Sequence, residues 1–360
     1  MKERRSLLWV WGLWLAAFYA VWATIVFGHV GWATVADHWP MAAAMAFGSY
    51  VAGSTPMGGG TVGFPVLVLF FEQPATLGRD FSFALQSIGM TSASIFILAR
   101  RTPLAWSMLK GAMLGALVGT PIGILFVAPL VPELWIKVVF AVIWASFGVL
   151  HLYRIGEISA LEGMTSPGER WDFRVGLIVG LGAGSTVAAV TGVGIDMVLY
   201  ATLVLLCRAD LKIAIPTSVL IMAFTSVTGI AFKAMTSGVQ PGVFENWLAA
   251  APVVALGAPL GAFAVAFIGR KPTLLFVAVL CVIQFVWTCH AERAALGVTG
   301  IALAVLAVCL ALIGFEYLRR YGRMLGHLPA DLPPRFIAEL DSPQPSGERD
   351  APRVDDPKGA

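Results

Sequence analysis

Asp196 is the residue whose type and position most directly suggest chemistry. It follows Thr191-Gly192-Val193-Gly194-Ile195, a glycine-containing break inside a long apolar stretch. If that stretch lies in a lipid bilayer, a carboxylate near its middle is costly and marks function by default. Asp196 could therefore carry a coupling proton, or it could only cap a half-helix by accepting a hydrogen bond from a backbone amide.

A second break, richer in glycine, covers residues 53–65 within an apolar run from Met41 to Phe71. Glycine and proline at this density interrupt a helix, and in lipid such backbone must be buried in protein or line a wet cavity. The helix that restarts after a break presents free amides and a positive dipole end, which bind anions. The two breaks therefore predict an anion site that includes Gly58, Gly59, Gly60, Thr61, Gly192 and Gly194.

The helix predicted after each break supplies hydroxyl and amide groups to this site. Ser87, Thr91 and Ser94 fall on one helical face, and the later helix repeats a pair of adjacent hydroxyl residues seven or eight positions apart. We take as further binding candidates Gln86, Thr91, Ser92, Thr217, Ser218, Thr225 and Ser226. The alternative is that these small polar residues only allow close packing of helices.

Composition supports the membrane interpretation. Of 360 residues, 58% are hydrophobic and 12% are charged, whereas charged residues make up about a quarter of soluble domains. We expect an all-α polytopic membrane protein with the lipid bilayer as its environment. The net charge of +3 is small and the basic residues cluster between apolar segments, so they indicate topology and no nucleic-acid surface. We find no histidine or carboxylate spacing typical of a metal site, and we expect no enzyme activity, no metal and no cofactor.

An internal repeat organises the chain. A shift of 134 residues pairs Gly58 with Gly192 and Ser92 with Ser226, and a shift of 138 pairs Gly123 with Gly261. Each copy has a broken segment followed by three full-length apolar runs. The predicted divisions are an N-terminal transmembrane helix with an outside loop (1–40), repeat 1 (41–153), a cytoplasmic connection (154–171), repeat 2 (172–290), a last transmembrane helix (291–318) and a disordered cytoplasmic tail (319–360).

The positions of the basic residues favour broken segments that enter the membrane and return to the same side. With re-entrant segments, the clusters at Arg100 and Arg154 face the cytoplasm, as the positive-inside rule requires. Segments that crossed would place them outside. Re-entry gives about eight transmembrane helices, two inverted repeats and both termini in the cytoplasm. Lys233 lies near a segment end, so we expect it to reach the membrane surface, where it could attract anions.

At these residues the chain resembles the sulfite exporter family named TauE/SafE, over residues 41 to about 290. The similar features are the Gly58-Gly59-Gly60-Thr61 break with Pro65, the later copy at Gly192 and Gly194, the helix from Pro216 to Ser226, and Gly257-Ala258-Pro259-Leu260-Gly261. The resemblance implies a permease of the bacterial inner (plasma) membrane that moves small sulfur-containing anions, such as sulfite or sulfonates, outward. Val193 and Asp196 depart from the family pattern.

We therefore expect a secondary transporter of small sulfur-containing or organic anions, coupled to protons, with the anion held at half-helix N-termini near the midplane. An anion channel could use the same half-helices. A membrane scaffold or assembly factor would explain the glycines but not the paired breaks, and a membrane enzyme acting on a lipid has no nucleophile or metal pattern to support it. Whether the chain forms a homo-oligomer is left open.

Overall fold

The protein is a bundle of helices in the computed structural model, which describes residues 7–325 except for the side chain of Ala266. The predicted disorder of residues 326–360 lies outside the described residues. Including the π-helical turns at their ends, the helices are α1 Leu8–Val30, α2 Trp32–Asp37, α3 Trp39–Ser54, α4 Gly60–Phe70, α5 Ala75–Ala99, α6 Trp106–Leu130, α7 Glu133–Ser159, α8 Glu169–Thr191, α9 Ile195–Leu206, α10 Leu211–Met235, α11 Val243–Ile268, α12 Arg270–Ala291 and α13 Arg293–Leu325, interrupted at Gly297.

Nine helices in the described part of the chain are long and apolar enough to cross a membrane. Eight of them match the predicted crossings. The ninth is α8, the first half of the second broken segment, whose 23 residues would reach about 34 Å at 1.5 Å per residue. The multi-pass, all-helical membrane architecture predicted from composition is therefore confirmed.

Both breaks lie where the sequence places them. Helix α3 ends because Thr55 is extended, with φ −134° and ψ 164°. Gly58 then takes φ +63°, and α4 begins two residues later. Between α8 and α9, Gly192 and Gly194 take φ values of +79° and +95°. Because side chains rarely tolerate this region, the glycines make both turns sterically accessible.

The two ends of each broken segment lie at one end of the bundle. Asp37 and His38, before α3, line the same cavity as Phe71 and Gln73, which follow α4. In the second segment the Thr165 amide donates to the Cys207 carbonyl oxygen at 2.8 Å, and the Asp210 amide donates to that of Gly163 at 2.7 Å. The α3–α4 and α8–α9 pairs are therefore hairpins in this structure.

The hairpins enter from opposite ends of α5. The first hairpin runs directly into the N-terminus of α5 through residues 71–74. The chain that leaves the second hairpin starts α10, whose Thr217 accepts a hydrogen bond from the Ala105 amide at 3.1 Å, beyond the C-terminus of α5. At the other end of α10, Lys233 contacts Asp80 near the start of α5. Helices α5 and α10 are therefore antiparallel, and one hairpin adjoins each end of this pair.

Glycine faces let each hairpin pack closely against a full-length helix. Along α6, Gly111 faces the backbone of Phe173 in α8, and Gly119 faces that of Leu181. Residue numbers increase in the same direction along both helices, so α6 and α8 are parallel. In the same way Gly53 of α3 lies against the backbone of Ala258 in α11. A side chain at any of these glycines would meet backbone atoms, so the close packing requires glycine there.

Lys233 does not reach the membrane surface, and that prediction is wrong. Its side chain is 4% exposed, and its Nζ lies 3.3 Å from Oδ2 of Asp80, which is fully buried. Arg79 Nε donates to Asp80 Oδ1 at 3.0 Å, and the Gln240 amide donates to Oδ2 at 3.2 Å. The ammonium group enters the protein because a buried carboxylate gives it a partner that lipid and the surface do not.

The last helix also extends beyond its predicted end at residue 318. It continues to Leu325 and packs its final turns on α7 through an ionic network. Arg319 donates to both carboxylate oxygens of Glu157 at 3.2 Å and also pairs with Glu316, and Arg323 donates to Glu157 at 2.7 Å. Residues 319–325 are therefore helical because these arginines have carboxylate partners, and not part of a disordered tail.

We predict that Lys233→Met lowers the thermal stability of the protein by about 3 kcal/mol, since it leaves Asp80 as a buried charge without its ammonium partner. Lys212→Met, at a side chain that is 69% exposed, should change stability by less than about 0.5 kcal/mol. Thermal unfolding in detergent measures both. Equal losses for the two variants would show that the Asp80 pair contributes no more than a surface contact.

Candidate functional site

The tips of the two hairpins meet at the glycines of the first break. A β-carbon at Gly58 would face Gln86 Oε1 and Asp196 Oδ2, and one at Gly60 would face Val193 and, at 3.4 Å, Gln86 Nε2. A β-carbon at Gly58 would lie 3.0 Å from Asp196 Oδ2. The first break, the second break and the middle of α5 therefore converge on one buried point.

Asp196 is fully buried in the first turn of α9. Its Oδ1 accepts a hydrogen bond from the Met197 amide at 3.0 Å, so one oxygen caps the half-helix. Its Oδ2 has no hydrogen-bond partner, and no Lys or Arg within the described residues forms an ion pair with it. A buried carboxylate with one unsatisfied oxygen is unfavourable unless that oxygen takes a proton or a ligand.

Gln86 provides the second polar group at this point. Its side chain is 2% exposed, and neither its Nε2 nor its Oε1 has a hydrogen-bond partner in the described part of the chain. An amide has two donors and an acceptor, and burying it unpaired costs about 1–3 kcal/mol. Its Nε2 lies toward Gly60 and can donate to an anion there, while its Oε1 lies toward Gly58 on the same side as Asp196 Oδ2.

Thr225 and Ser226 lie at the same level as Gln86 on the neighbouring helix. Helices α5 and α10 are antiparallel, and Phe83 contacts Gly229 where the two cross. One helical turn from this contact, toward the C-terminus of α5 and toward the N-terminus of α10, Gln86 is level with Thr225 and Ser226. Both hydroxyl groups are buried and have no partner among the described residues. The predicted candidates therefore include one set of unsatisfied polar groups at a common depth.

Thr61 is adjacent to the site, but its hydroxyl is occupied. Its Oγ1 donates to the Met57 carbonyl at 2.6 Å and accepts from Trp144 Nε1 at 2.7 Å. Gly59 faces Met45 and Ala52 inside the first hairpin, away from Gln86. These two residues shape the tip, and their side chains or α-carbons do not line the central point.

Other predicted hydroxyls also have protein partners. Ser92 accepts from Trp11 Nε1 at 3.0 Å and donates to the Ala255 carbonyl at 2.5 Å, which joins three helices. Thr217 donates to the Ile213 carbonyl at 2.7 Å, and Ser218 donates to that of Ile215 at 2.8 Å. Thr91 is half-buried and lies more than one turn beyond Gln86. For the first three residues, the packing alternative describes what the structure shows.

The glycines of the second break let its backbone lie close to neighbouring helices. Gly192 lies against the backbone of Arg79 in α5, and Gly194 faces the ring of Trp144, which a β-carbon would approach to 3.6 Å. They bring the start of α9, and with it Asp196, up to the first hairpin. They therefore position the carboxylate.

Trp144 is a residue that the sequence analysis missed. It is fully buried in α7, hydrogen-bonded to Thr61 of the first hairpin and in contact with Gly194 of the second. Its ring stacks on Phe140 with centroids 3.8 Å apart, and Phe140 stacks on Phe64 at 4.2 Å. A tryptophan in an apolar helix gives no sequence signal that separates this role from ordinary packing.

Comparison with known proteins finds one family. The model described as "Sulfite exporter TauE/SafE" matches residues 41–288, which is more than half of the chain and includes both breaks. No curated protein matches, and no solved structure matches.

We predict that Thr61→Val and Trp144→Phe each lower stability by about 1 kcal/mol, because each removes the same buried hydrogen bond. The double variant should lose little more than Trp144→Phe alone, since the two residues are coupled. Thermal unfolding of the three variants measures the coupling. If Thr61→Val instead weakens anion binding in the Trp144→Phe background as well, Thr61 contacts the anion.

Proposed function

Because the chain belongs to the sulfite exporter TauE/SafE family, we propose that it is a proton-coupled carrier of sulfite or small sulfonates. The anion lies against Gly58 and Gly60, between the two hairpin tips. Gln86, Thr225 and Ser226 donate hydrogen bonds to its oxygens, and Asp196 carries the coupled proton. The family supports a membrane anion transporter in general terms, and the site supports the more specific assignment.

The observation that carries this proposal is the unsatisfied Oδ2 of Asp196 facing Gly58 beside the unsatisfied amide of Gln86. Buried polar groups in proteins are almost always paired, so several without partners at one point indicate a ligand. The half-helices α4 and α9 start here, but the Thr61, Val62 and Gly63 amides donate to the Gly58 and Gly59 carbonyls and the Met197 amide donates to Asp196 Oδ1, so these amides are not free for an anion. Once Asp196 is protonated, Gln86 Nε2, the hydroxyl groups of Thr225 and Ser226 and Asp196 Oδ2 can all donate to an oxyanion.

Asp196 couples the proton to the anion by simple electrostatics. While ionised, its carboxylate repels an anion placed against Gly58. A proton on Oδ2 removes that repulsion and turns the atom into a hydrogen-bond donor. Each ligand therefore strengthens binding of the other, and this reciprocity is a requirement of thermodynamic linkage. Proton and anion then cross together as a symported pair.

Symport leaves the direction of net flux to the two gradients. A cell that holds the anion well above its external concentration exports it with a proton, and an inward proton gradient favours the reverse. Export, which the family description names, therefore requires a high internal anion concentration. This condition fits disposal of a product that accumulates inside the cell.

The placement of the hairpins supports a transport cycle in which the anion site opens alternately to the two sides of the membrane. The hairpins adjoin opposite ends of the α5–α10 pair, and each packs in parallel on a full-length helix of the other repeat. We therefore retain two inverted repeats as part of this proposal, with the site at their interface. The positive-inside rule places both termini, Arg100 and Arg154 on the cytoplasmic face of a bacterial inner membrane.

Flux of ethanesulfonate in proteoliposomes tests the proposal, because a sulfonate stays anionic over the working pH range and any proton dependence then belongs to the protein. We expect an imposed pH gradient to drive accumulation of ethanesulfonate, and of sulfite, and a protonophore to abolish it. A channel would equilibrate the anion without accumulating it. Absence of flux for both anions would contradict the proposal.

A pair of glutamine variants locates the site in the same assay. Gln86→Leu should raise the KM for ethanesulfonate about tenfold, since it removes a hydrogen bond to a charged group. Gln284→Leu is the matched control, because Gln284 also has an unpaired buried oxygen but lines an apolar groove beside Phe47 and Trp287. Equal effects of the two substitutions on KM would show that Gln86 does not contact the anion.

A further inference from the structure

A cavity of about 480 Å³ lies at the C-terminal end of α3, separate from the central point. Its polar lining comes from Ser54 at the end of the first half-helix and from three arginines on the loop after α5 and at the start of α12. The residues that matter here are Ser54, Arg100, Arg101, Pro216, Val219 and Arg270. This volume far exceeds what one small oxyanion needs.

The described residues that line this cavity include three arginines and no acidic residue, and Asp210 acts electrostatically on Arg270 from outside the lining. Arg100 lies 5.5 Å from the ring centroid of Phe96, and none of Arg100, Arg101 and Arg270 forms a salt bridge within residues 7–325. Helix α3 points its negative end at the cavity, but Ser54 and Thr55 donate to the Tyr50 and Val51 carbonyls at 2.6 and 2.8 Å. The Val51 carbonyl also accepts the Thr55 amide at 3.0 Å, so the hydroxyl groups add further donors at this end of α3 and lessen the negative potential that it presents to the cavity.

The corresponding place at the other end of the bundle is closed. Ile124 pairs with Ala262, which lines the cavity, when repeat 1 is shifted by 138 residues onto repeat 2. Ile124 packs with Phe83 and Ala189, which are fully buried, and with Ile230 and Phe232. At one end the repeats therefore leave an arginine-lined cavity, and at the other they form an apolar plug.

A short apolar barrier separates the cavity from the central point. Ile97 lines the cavity, and Gln86 lies eleven residues before it on the same face of α5. Between them, Met90 is 1% exposed, and Met222 lies at the same level of α10 with no exposure. An anion beside Ile97 is therefore about three helical turns from Gln86.

We infer that this cavity is a second anion site, a vestibule that binds sulfonates and sulfur oxyanions at the face of Arg100 and Arg270 before they reach the central site. This inference rests on the proposed function. A cleft lined by charge of one sign raises the local concentration of its counter-ion by about tenfold or more. Its size also admits organic sulfonates much larger than sulfite, and these block the vestibule.

Transport into inside-out and right-side-out membrane vesicles tests the vestibule. Arg100→Gln combined with Arg270→Gln should raise the KM for ethanesulfonate about tenfold when the anion is presented at the cavity face, and should leave the KM at the opposite face unchanged. Arg174→Gln is the matched control, since Arg174 is exposed at the same end of the bundle and does not line the cavity. Its KM should stay at the wild-type value from both faces.

A rigid aromatic disulfonate gives a second measurement, whose first readout is wild-type transport from each face. We expect 1,5-naphthalenedisulfonate to inhibit wild-type transport competitively from the cavity face only, and the double arginine variant to lose this inhibition. Inhibition that is equal from both faces, or unchanged in the variant, would overturn the vestibule while leaving the carrier intact. Absence of ethanesulfonate flux in the wild type would instead overturn the proposed function itself.

Discussion

Lipid offers no hydrogen-bond partner to an interrupted helix, and the structure depends on how this chain meets that constraint. Each break is buried against the other and against α5. Gly58 lies against Gln86 and Asp196, and Gly192 lies against the backbone of Arg79. The approach is so close that a single added β-carbon at Gly58 would contact both polar side chains. The turns that interrupt the helices therefore also bring polar groups to the protein interior.

Two fully buried aspartates show how partners separate a structural role from a functional one. Asp80 accepts from Arg79 and Gln240 and pairs with Lys233, so its charge is compensated within the protein. Asp196 has the Met197 amide on one oxygen, and its other oxygen has no partner among the residues that the structure describes. Burial of the first carboxylate is stable with the protein alone, whereas burial of the second is costly without a proton or a ligand.

Much of the fold was predictable because a segment that crosses lipid must be apolar, so hydropathy along the sequence indicates where the helices lie. The runs of apolar residues gave the crossings, and the density of glycine gave both breaks. Asp196 stood out because a carboxylate in an apolar segment is rare. Composition and spacing were sufficient for these features.

Partners of individual side chains were not predictable, because helical spacing places a residue on a face without naming what that face meets. The hydroxyl of Thr61 is taken by Trp144, 83 residues away, and that of Ser92 by Trp11, 81 residues away. Gln86, Thr225 and Ser226 resemble them in sequence, but their side chains have no hydrogen-bond partner within residues 7–325. Lys233 was assigned to the surface because its partner Asp80 lies in a different segment.

The most direct test of the central claim compares gradient-driven accumulation with downhill exchange of ethanesulfonate in Asp196→Asn proteoliposomes. Asparagine keeps the size and a hydrogen-bond donor but cannot exchange a proton. We expect that accumulation driven by a pH gradient is lost, while exchange between equal concentrations of anion on the two sides persists and no longer depends on pH. Accumulation that persists at the wild-type level would contradict it and leave Asp196 as a cap of α9.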